Sequence, residues 1–392
     1  MRDKRDLGNE RESRAGVMRI GMGEMKGVIK FVFRGALYFL NLNFSLYTNR
    51  FLPAPFLVNL EITKRCNLRC IHCDIREAPE KYSEIIKEEF SIREVKEIID
   101  SLKSLGTKYI SISGGEPFLR EDIFDIIEYA KKRDLGIHIS SNGTLITKEI
   151  AKKVNDLGLD AISISLDATT PTIHDKIRGV RGAFNKTVAA IRNLVKYKSH
   201  TQVGISPIIT NLNIYELEKL VDFARDLGVD AIRFQPWHES LGYKETADIL
   251  DIKGERLKEI GDVMEKIIRK TRKYRIYTNS DVYLRGISRY FEDKRKIKIN
   301  CFVGFFTCNI SWKGDVVPCA FIEPVGNIRK ETFNEIWKSK RFEEVRREIR
   351  RGNCPKCWMG CFIEPSLRCS LKYAIQHPLK YFSDLKFFHR FM

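Results

Sequence analysis

A helix–glycine–strand phrase recurs through the middle of the chain and restricts its fold more than any other feature. Leu105-Gly106 precedes Tyr109-Ile-Ser-Ile-Ser113, and Leu135-Gly136 precedes Ile137-His-Ile-Ser140. Leu157-Gly158 precedes Ala161-Ile-Ser-Ile-Ser165, and Leu227-Gly228 precedes Ala231-Ile-Arg-Phe234. Each Gly is expected to end a helix in a left-handed conformation, and each β-branched run after it to form a strand. The preceding segments carry apolar residues at helical spacing, as in Ile92, Val95, Ile98, Ile99, Leu102 and Leu105, or Ile123, Ile126, Ile127 and Ala130. Residues 58–62 and 203–209 supply two further strands. Strand–helix alternation with a period of roughly 25–35 residues predicts a parallel β/α architecture. Six βα units are too few for a full barrel of eight, so the expected fold is α/β, a partial (β/α)6 TIM-like barrel. Its site should lie at the C-terminal ends of the strands.

The chemical residues fall at those ends. Cys66, Cys70 and Cys73 follow the first strand at the spacing C-x3-C-x2-C. Three thiolates are one short of the four that close an ordinary iron–sulfur site, so a cubane held this way keeps one iron open. Gly114-Gly115-Glu116-Pro117 follows the second strand, Ser140-Ser-Asn-Gly-Thr144 the third, and Ser165-Leu-Asp167 the fourth. Ten cysteines, behind a charged start (Met1-Arg-Asp-Lys-Arg-Asp6) with no secretory pattern, predict metal thiolates in a reducing cytoplasm and not a disulfide framework. The net charge of +18 favours anionic partners. Without a zinc-finger, RNA-recognition or helix-turn-helix pattern, nucleic acid is not the expected one.

The cysteine triplet followed by Gly-Gly-Glu-Pro, over about residues 56–240, resembles the radical S-adenosylmethionine (radical SAM) superfamily. The resemblance implies that Cys66, Cys70 and Cys73 hold a [4Fe–4S] cluster whose open iron chelates SAM. Reductive cleavage would give a 5′-deoxyadenosyl radical that abstracts hydrogen from a substrate, with electrons from a ferredoxin- or flavodoxin-like donor. It also implies SAM contacts from Gly114, Gly115, Glu116 and Pro117, with the glycines letting the backbone approach the methionine moiety and Glu116 ordering the loop. Asn142 and Ser165 match ribose-side positions, and Arg178 matches an arginine on the SAM carboxylate, with a surface pairing to Asp175 as the alternative. His72 departs from the aromatic residue common before the third cysteine.

Seven more cysteines lie beyond residue 300: Cys301, Cys308, Cys319, Cys354, Cys357, Cys361 and Cys369. With the turn at Lys313-Gly-Asp315, this layout resembles the SPASM/twitch extension, which implies one or two auxiliary [4Fe–4S] clusters. The later spacing, C-x2-C-x3-C-x7-C, departs from the usual one. One expected cluster uses Cys301, Cys308, Cys319 and Cys361, and a second Cys354, Cys357 and Cys369. A zinc site at Cys354 and Cys357 is the competing reading, and Cys369 is the candidate for an unused thiol.

The expected division is a basic amphipathic segment (1–55), the core barrel (56–240), a helical connection (241–300), the Cys-rich domain (301–370) and a basic aromatic tail (371–392). The two ends are too charged to span a membrane. They suit either packing on the barrel or lying on an anionic membrane surface, which would place a cytoplasmic protein at the inner face. Three functions follow: hydrogen abstraction in peptide or protein modification, the same chemistry on a membrane-associated lipid or isoprenoid, or a non-catalytic iron–sulfur carrier or scaffold. Trp237, His238 and Glu239, at a strand end, are candidates either for substrate contact or for packing.

Overall fold

The computed structural model describes residues 37–48, 52–238 and 244–378. The amphipathic stretches expected over 25–36 and 379–392, and Glu239, lie outside them. The barrel half runs α1 (residues 37–48), β1 (Leu57–Thr63), α2 (Tyr82–Glu88), α3 (Ile92–Leu105), β2 (Tyr109–Gly114), α4 (Ile123–Lys132), β3 (Gly136–Ser141), α5 (Lys148–Asp156), β4 (Ala161–Ile164), α6 (Pro171–Arg178) and α7 (Ala183–Tyr197). It continues with β5 (Gln202–Ile205), β6 (Ile208–Ile209), α8 (Leu217–Leu227), β7 (Ala231–Ile232) and β8 (Gln235–Pro236). Helices α9 (Ala247–Leu250), α10 (Glu255–Tyr274) and α11 (Asp281–Asp293) lead to β9 (Thr307–Ile310), β10 (Asp315–Val317) and β11 (Gly326–Asn327). Helices α12 (Phe333–Lys338), α13 (Lys340–Arg351), α14 (Gly360–Arg368) and α15 (Leu371–Gln376) complete the described chain.

Helix α3 shows how one unit is specified. Ser91 and Glu94 form a reciprocal capping box at its start. Val95, Ile98, Ile99 and Leu102 are buried along one face, and Gly106 ends the helix at φ +110°. The second unit is built differently from the expectation. Asp134 takes the left-handed conformation after α4 (φ +51°), and Gly136 is instead the first residue of β3. A Cβ at Gly136 would lie 2.1 Å from Cδ2 of Tyr109, so the aromatic ring beside it fixes this glycine.

Strands β1, β2, β3, β4, β5 and β7 pair in parallel in that order, which is the partial barrel of six units. Val58, Leu60, Ile62, Ile110, Ile112, Ile137, Ile139, Ile162, Ile164, Val203 and Ile205 alternate outward and form one core with the helices. The Cys-rich region is not a separate appendage. Strand β9 adds to the free side of β1 in parallel, with Val58 opposite Cys308, and β10 and β11 extend the sheet antiparallel. Asn59 Nδ2 donates to Asn309 Oδ1 across that junction (2.7 Å). Among the described residues no helix is long and apolar enough to cross a membrane.

Candidate active site and auxiliary cysteine group

The Cys66–Cys73 loop leaves β1 and is held by its backbone. The Arg69 and Ile71 N–H groups donate to the carbonyls of Arg178 (3.2 Å) and Ile177 (3.0 Å) at the end of α6. On the other side, Gly115 N–H donates to Thr63 O (2.9 Å) and Glu116 N–H to Arg65 O (2.7 Å). A Cβ at Gly114 would lie 2.1 Å from Thr63 O, and one at Gly115 1.9 Å from Arg65 O. The close approach that requires these glycines is therefore to the cysteine loop itself. Pro117 is buried at the start of the short 3-10 turn that follows.

Glu116 is fully buried and joins two strand ends. Its carboxylate accepts from Ser141 Oγ (2.8 Å), the Asn142 N–H (2.8 Å) and the Phe118 N–H (3.2 Å). Burial outweighs these bonds and pushes its pKa up to about 7. Asn142 in turn reaches the cysteine loop. Its Nδ2 donates to Asn67 Oδ1 (2.9 Å) and lies 4.0 Å from Cys66 Sγ, while Thr144 N–H and Oγ1 donate to its Oδ1. Ser165 is half-buried at the end of β4, its N–H bonded to Ser141 O (3.0 Å).

Arg178 is buried, not on the surface, and its partner is Asp167 and not Asp175. Its Nε and Nη2 donate to the two oxygens of Asp167 (2.6 and 2.9 Å), and its Nη1 lies 3.9 Å from Cys70 Sγ. Burial alone would raise the Asp167 carboxyl, but the guanidinium outweighs it and holds the pKa below the ordinary aspartate range. Asp175 instead caps the turn into α7 through the N–H groups of Gly182 and Phe184. Burial keeps His72 and His174 neutral, with pKa values pulled down to about 3 and about 4. His72 Nδ1 and His174 Nε2 are enclosed without a protein partner.

These residues fit the groups implied by the sequence. Burial pushes Cys66 up to about 12 and raises Cys70 and Cys73. Three such sulfurs are poor free thiolates and good ligands for cationic iron, which replaces their protons. Arg178, oriented by Asp167, and Asn142 are donors at the rim of the same loop. Asn67, Asp167 and His174 were not singled out as site residues. The signal for Asp167 was its place at the end of the fourth strand.

The C-terminal cysteines divide by geometry. Cys301, Cys319, Cys354 and Cys357 line one small cavity with Val303, Phe321 and Phe362. Cys361, in the first turn of α14, shares an electrostatic environment with Cys301 and Cys319. Burial pushes Cys301 to about 11 and Cys319 to about 12, whereas Cys361 is exposed. Ser366 Oγ lies 3.9 Å from Cys301 Sγ. Among the described residues no three Cys, His, Asp or Glu side chains converge as ligands of a single ion. The expected grouping of Cys308 with Cys301 and Cys319 does not hold in this geometry. Strand alternation turns Cys308 outward beside Val58 into the aliphatic core, where it is 0% exposed. Cys369 packs with Phe39, Leu42, Leu46 and Phe56 and does not line that cavity. Trp237 is buried, and His238 stacks on Phe321 at 4.3 Å, so His238 packs the barrel against the cysteine domain.

A parallel barrel with a three-cysteine loop at its mouth and a second cysteine group beside it defines an iron–sulfur enzyme class. Residues 60–224 match the radical SAM superfamily and residues 301–361 match an iron–sulfur cluster-binding domain, SPASM. The AdoMet-dependent heme synthase of Methanosarcina barkeri is 31% identical over 322 residues, covering 78% of this chain and 88% of that protein. The mycofactocin maturase MftC of Mycobacterium tuberculosis is 29% identical, covering 79% and 77%. The crystal structure of Streptococcus suis SuiB shares the fold at 16% identity, with a TM-score of 0.59 over 75% of this chain and 68% of that one. The chain belongs to the radical SAM superfamily, and it is an enzyme whose cofactors are [4Fe–4S] clusters and SAM.

Proposed function

We propose that the chain cleaves SAM reductively at Cys66, Cys70 and Cys73 and abstracts hydrogen from a peptide or protein side chain held between the barrel mouth and the cysteine domain. The observation that carries this reading is the meeting of the Cys66, Cys70 and Cys73 loop, Asn142 and the Asp167-oriented Arg178 at one set of strand ends. When bound, the cluster and SAM supply one-electron chemistry leading to hydrogen abstraction. The chain's own residues orient and enclose: Glu116 fixes Asn142, Asp167 fixes Arg178, and Gly114 and Gly115 seat the loop. In the C-terminal domain, four of the five thiols Cys301, Cys319, Cys354, Cys357 and Cys361 would ligate the auxiliary cluster, leaving Cys308 and Cys369 as packing residues. SuiB, solved with its precursor peptide SuiA, supports a peptide substrate. A tetrapyrrole is the second reading, favoured by three relatives named heme synthase at 30–31% identity.

Anaerobic reconstitution with iron and sulfide, followed by dithionite and SAM, is expected to yield 5′-deoxyadenosine. A reduced ferredoxin- or flavodoxin-like protein should replace dithionite. Peptide and porphyrin are then compared as substrates by the mass of the product. A cluster-loaded protein that forms no 5′-deoxyadenosine would leave the carrier or scaffold reading in its place.

The ends of the described chain support a membrane-facing partner. One face of α1 packs Phe39, Leu42 and Leu46 against Phe56, Phe302, Phe305 and Phe306. The other leaves Leu37, Leu40, Phe44 and Tyr47 exposed, at helical spacing. Asn43 ties α1 to the junction of α14 and α15, donating to Cys369 O (2.9 Å) and accepting from the Leu371 N–H (3.4 Å), and α15 exposes Leu371 and Ile375 beside it. An apolar stripe on a basic chain suits an anionic lipid surface. Protein should co-sediment with anionic vesicles, and Leu40→Glu with Phe44→Glu should release it. Equal sedimentation of both proteins would assign the stripe to another partner.

A further inference from the structure

The interior of the barrel is lined unlike that of a closed eight-stranded barrel, in which bulky branched side chains fill the space in layers. Here the inward positions include the small side chains of Ser111, Ser113, Ser140, Ser163, Ser165 and Ser206. Tyr109 closes the lower end over Gly136. Above it, His138 spans the interior from β3. Its Nδ1 lies 2.8 Å from Ser111 Oγ on β2 and its Nε2 2.8 Å from Ser163 Oγ on β4. Burial pulls the His138 pKa down to about 3, so the rung is a neutral imidazole in which one ring nitrogen donates and the other accepts.

Arg233 faces the same interior from the far side of the sheet. It follows β7 between Ile232 and Phe234, both 0% exposed in the outer core, so strand alternation turns it inward. Strands β4 and β5 separate β7 from β3 in the sheet, yet the Arg233 charge is felt at His138 and at Tyr109. Its guanidinium lies 5.4 Å from the centroid of the Tyr277 ring, and the residue is exposed. Glu61 on β1 faces the same interior, which favours a bound acid on the β7 side, away from it.

We propose that the barrel interior binds a carboxylate of the substrate, with Arg233 as its anchor and the serine hydroxyls around His138 as further donors. A guanidinium fork matches a carboxylate through two parallel N–H bonds, and the Tyr277 face holds the fork in place. The inference rests on the radical SAM reading and deepens it: the hydrogen donor is an acid, either a porphyrin propionate or an acidic peptide side chain.

The test is binding to the cluster-loaded full-length protein. One arm compares a tetrapropionate porphyrin with its tetramethyl ester. The other compares a short peptide carrying one glutamate, amidated at its C-terminus, with its glutamine counterpart. The acid should bind at least about tenfold more tightly than its neutral partner in one arm, which identifies the source of the carboxylate. Arg233→Gln should remove that preference and Arg233→Lys should retain part of it. The neutral ligand's affinity in each variant reports whether the interior is intact. No preference for the acid in either arm, or a preference that survives Arg233→Gln, overturns the proposal. Failure of the radical SAM reading would show separately, as wild-type protein that forms no 5′-deoxyadenosine.

Discussion

Cys70→Ser is expected to reduce 5′-deoxyadenosine formation to the level of a control without enzyme, and to remove about four irons per chain. The effect should be this large because the residue is buried at the centre of the loop, with the Arg178 guanidinium 3.9 Å from its sulfur and no other cysteine placed to substitute. A neutral serine would leave that buried cation facing a weaker partner and one iron without a thiolate. Cys308→Ala is the matched control. Its sulfur lies in an aliphatic core beside Val58, so iron content and SAM cleavage should be retained. Iron and sulfide assays on the two variants, side by side, check both statements. Loss of iron in Cys308→Ala would return that residue to the auxiliary ligand set.

Asp167→Ala should give the largest loss of stability among non-cysteine site variants, about 3–5 kcal/mol in a denaturant titration. Asp167 is 0% and Arg178 7% exposed, and removing one member leaves a charge buried without compensation. The Ile208 N–H, which donates to Asp167 Oδ1 at 3.0 Å, would be orphaned as well. By contrast, the exposed Arg93–Glu97 pair on α3 is worth little. The pH dependence has a definite sign. The folded-state pKa of Asp167 is below its ordinary 3.8, so its contribution is fully present above that value and is lost as pH falls through the folded pKa. The acid limb of a thermal-midpoint profile should therefore flatten in Asp167→Ala. The double variant Asp167→Ala/Arg178→Ala should be less destabilised than the sum of the two single ones. Additive losses would mean that the pair is not coupled.

The barrel was legible because its units are local. A capping serine, an apolar stripe, a terminal glycine and a β-branched run all lie within about one period of the repeat. Gly136 shows the limit, since the same dipeptide that ends a helix elsewhere is kept here by the ring of Tyr109, a residue on the neighbouring strand. The cysteine loop and Gly-Gly-Glu-Pro were legible by spacing. Their mutual support was not, because the contacts of Gly115 with Thr63 and of Glu116 with Asn142 depend on strand order. Thr307-Cys-Asn-Ile310 did carry a signal for Cys308: alternation sets Cys308 and Ile310 on one face and Asn309 on the other. Counting cysteine spacings hid that pattern. The pairing of Arg178 with Asp167 needed three dimensions, since Asp175, on the same helix as Arg178, is nearer in sequence.

The pairing of β9 with β1 has a consequence for synthesis of the chain. The backbone groups on one side of β1 find their partners only in residues that leave the ribosome about 250 positions later, as the Asn59–Asn309 bond marks. Until then the strand that launches the cysteine loop presents a bare parallel edge, the kind that recruits other strands. Cluster loading before termination would act on a loop whose supporting strand is still open on one side. A barrel fragment ending before residue 300 should therefore be prone to aggregate, even though all six of its βα units are present.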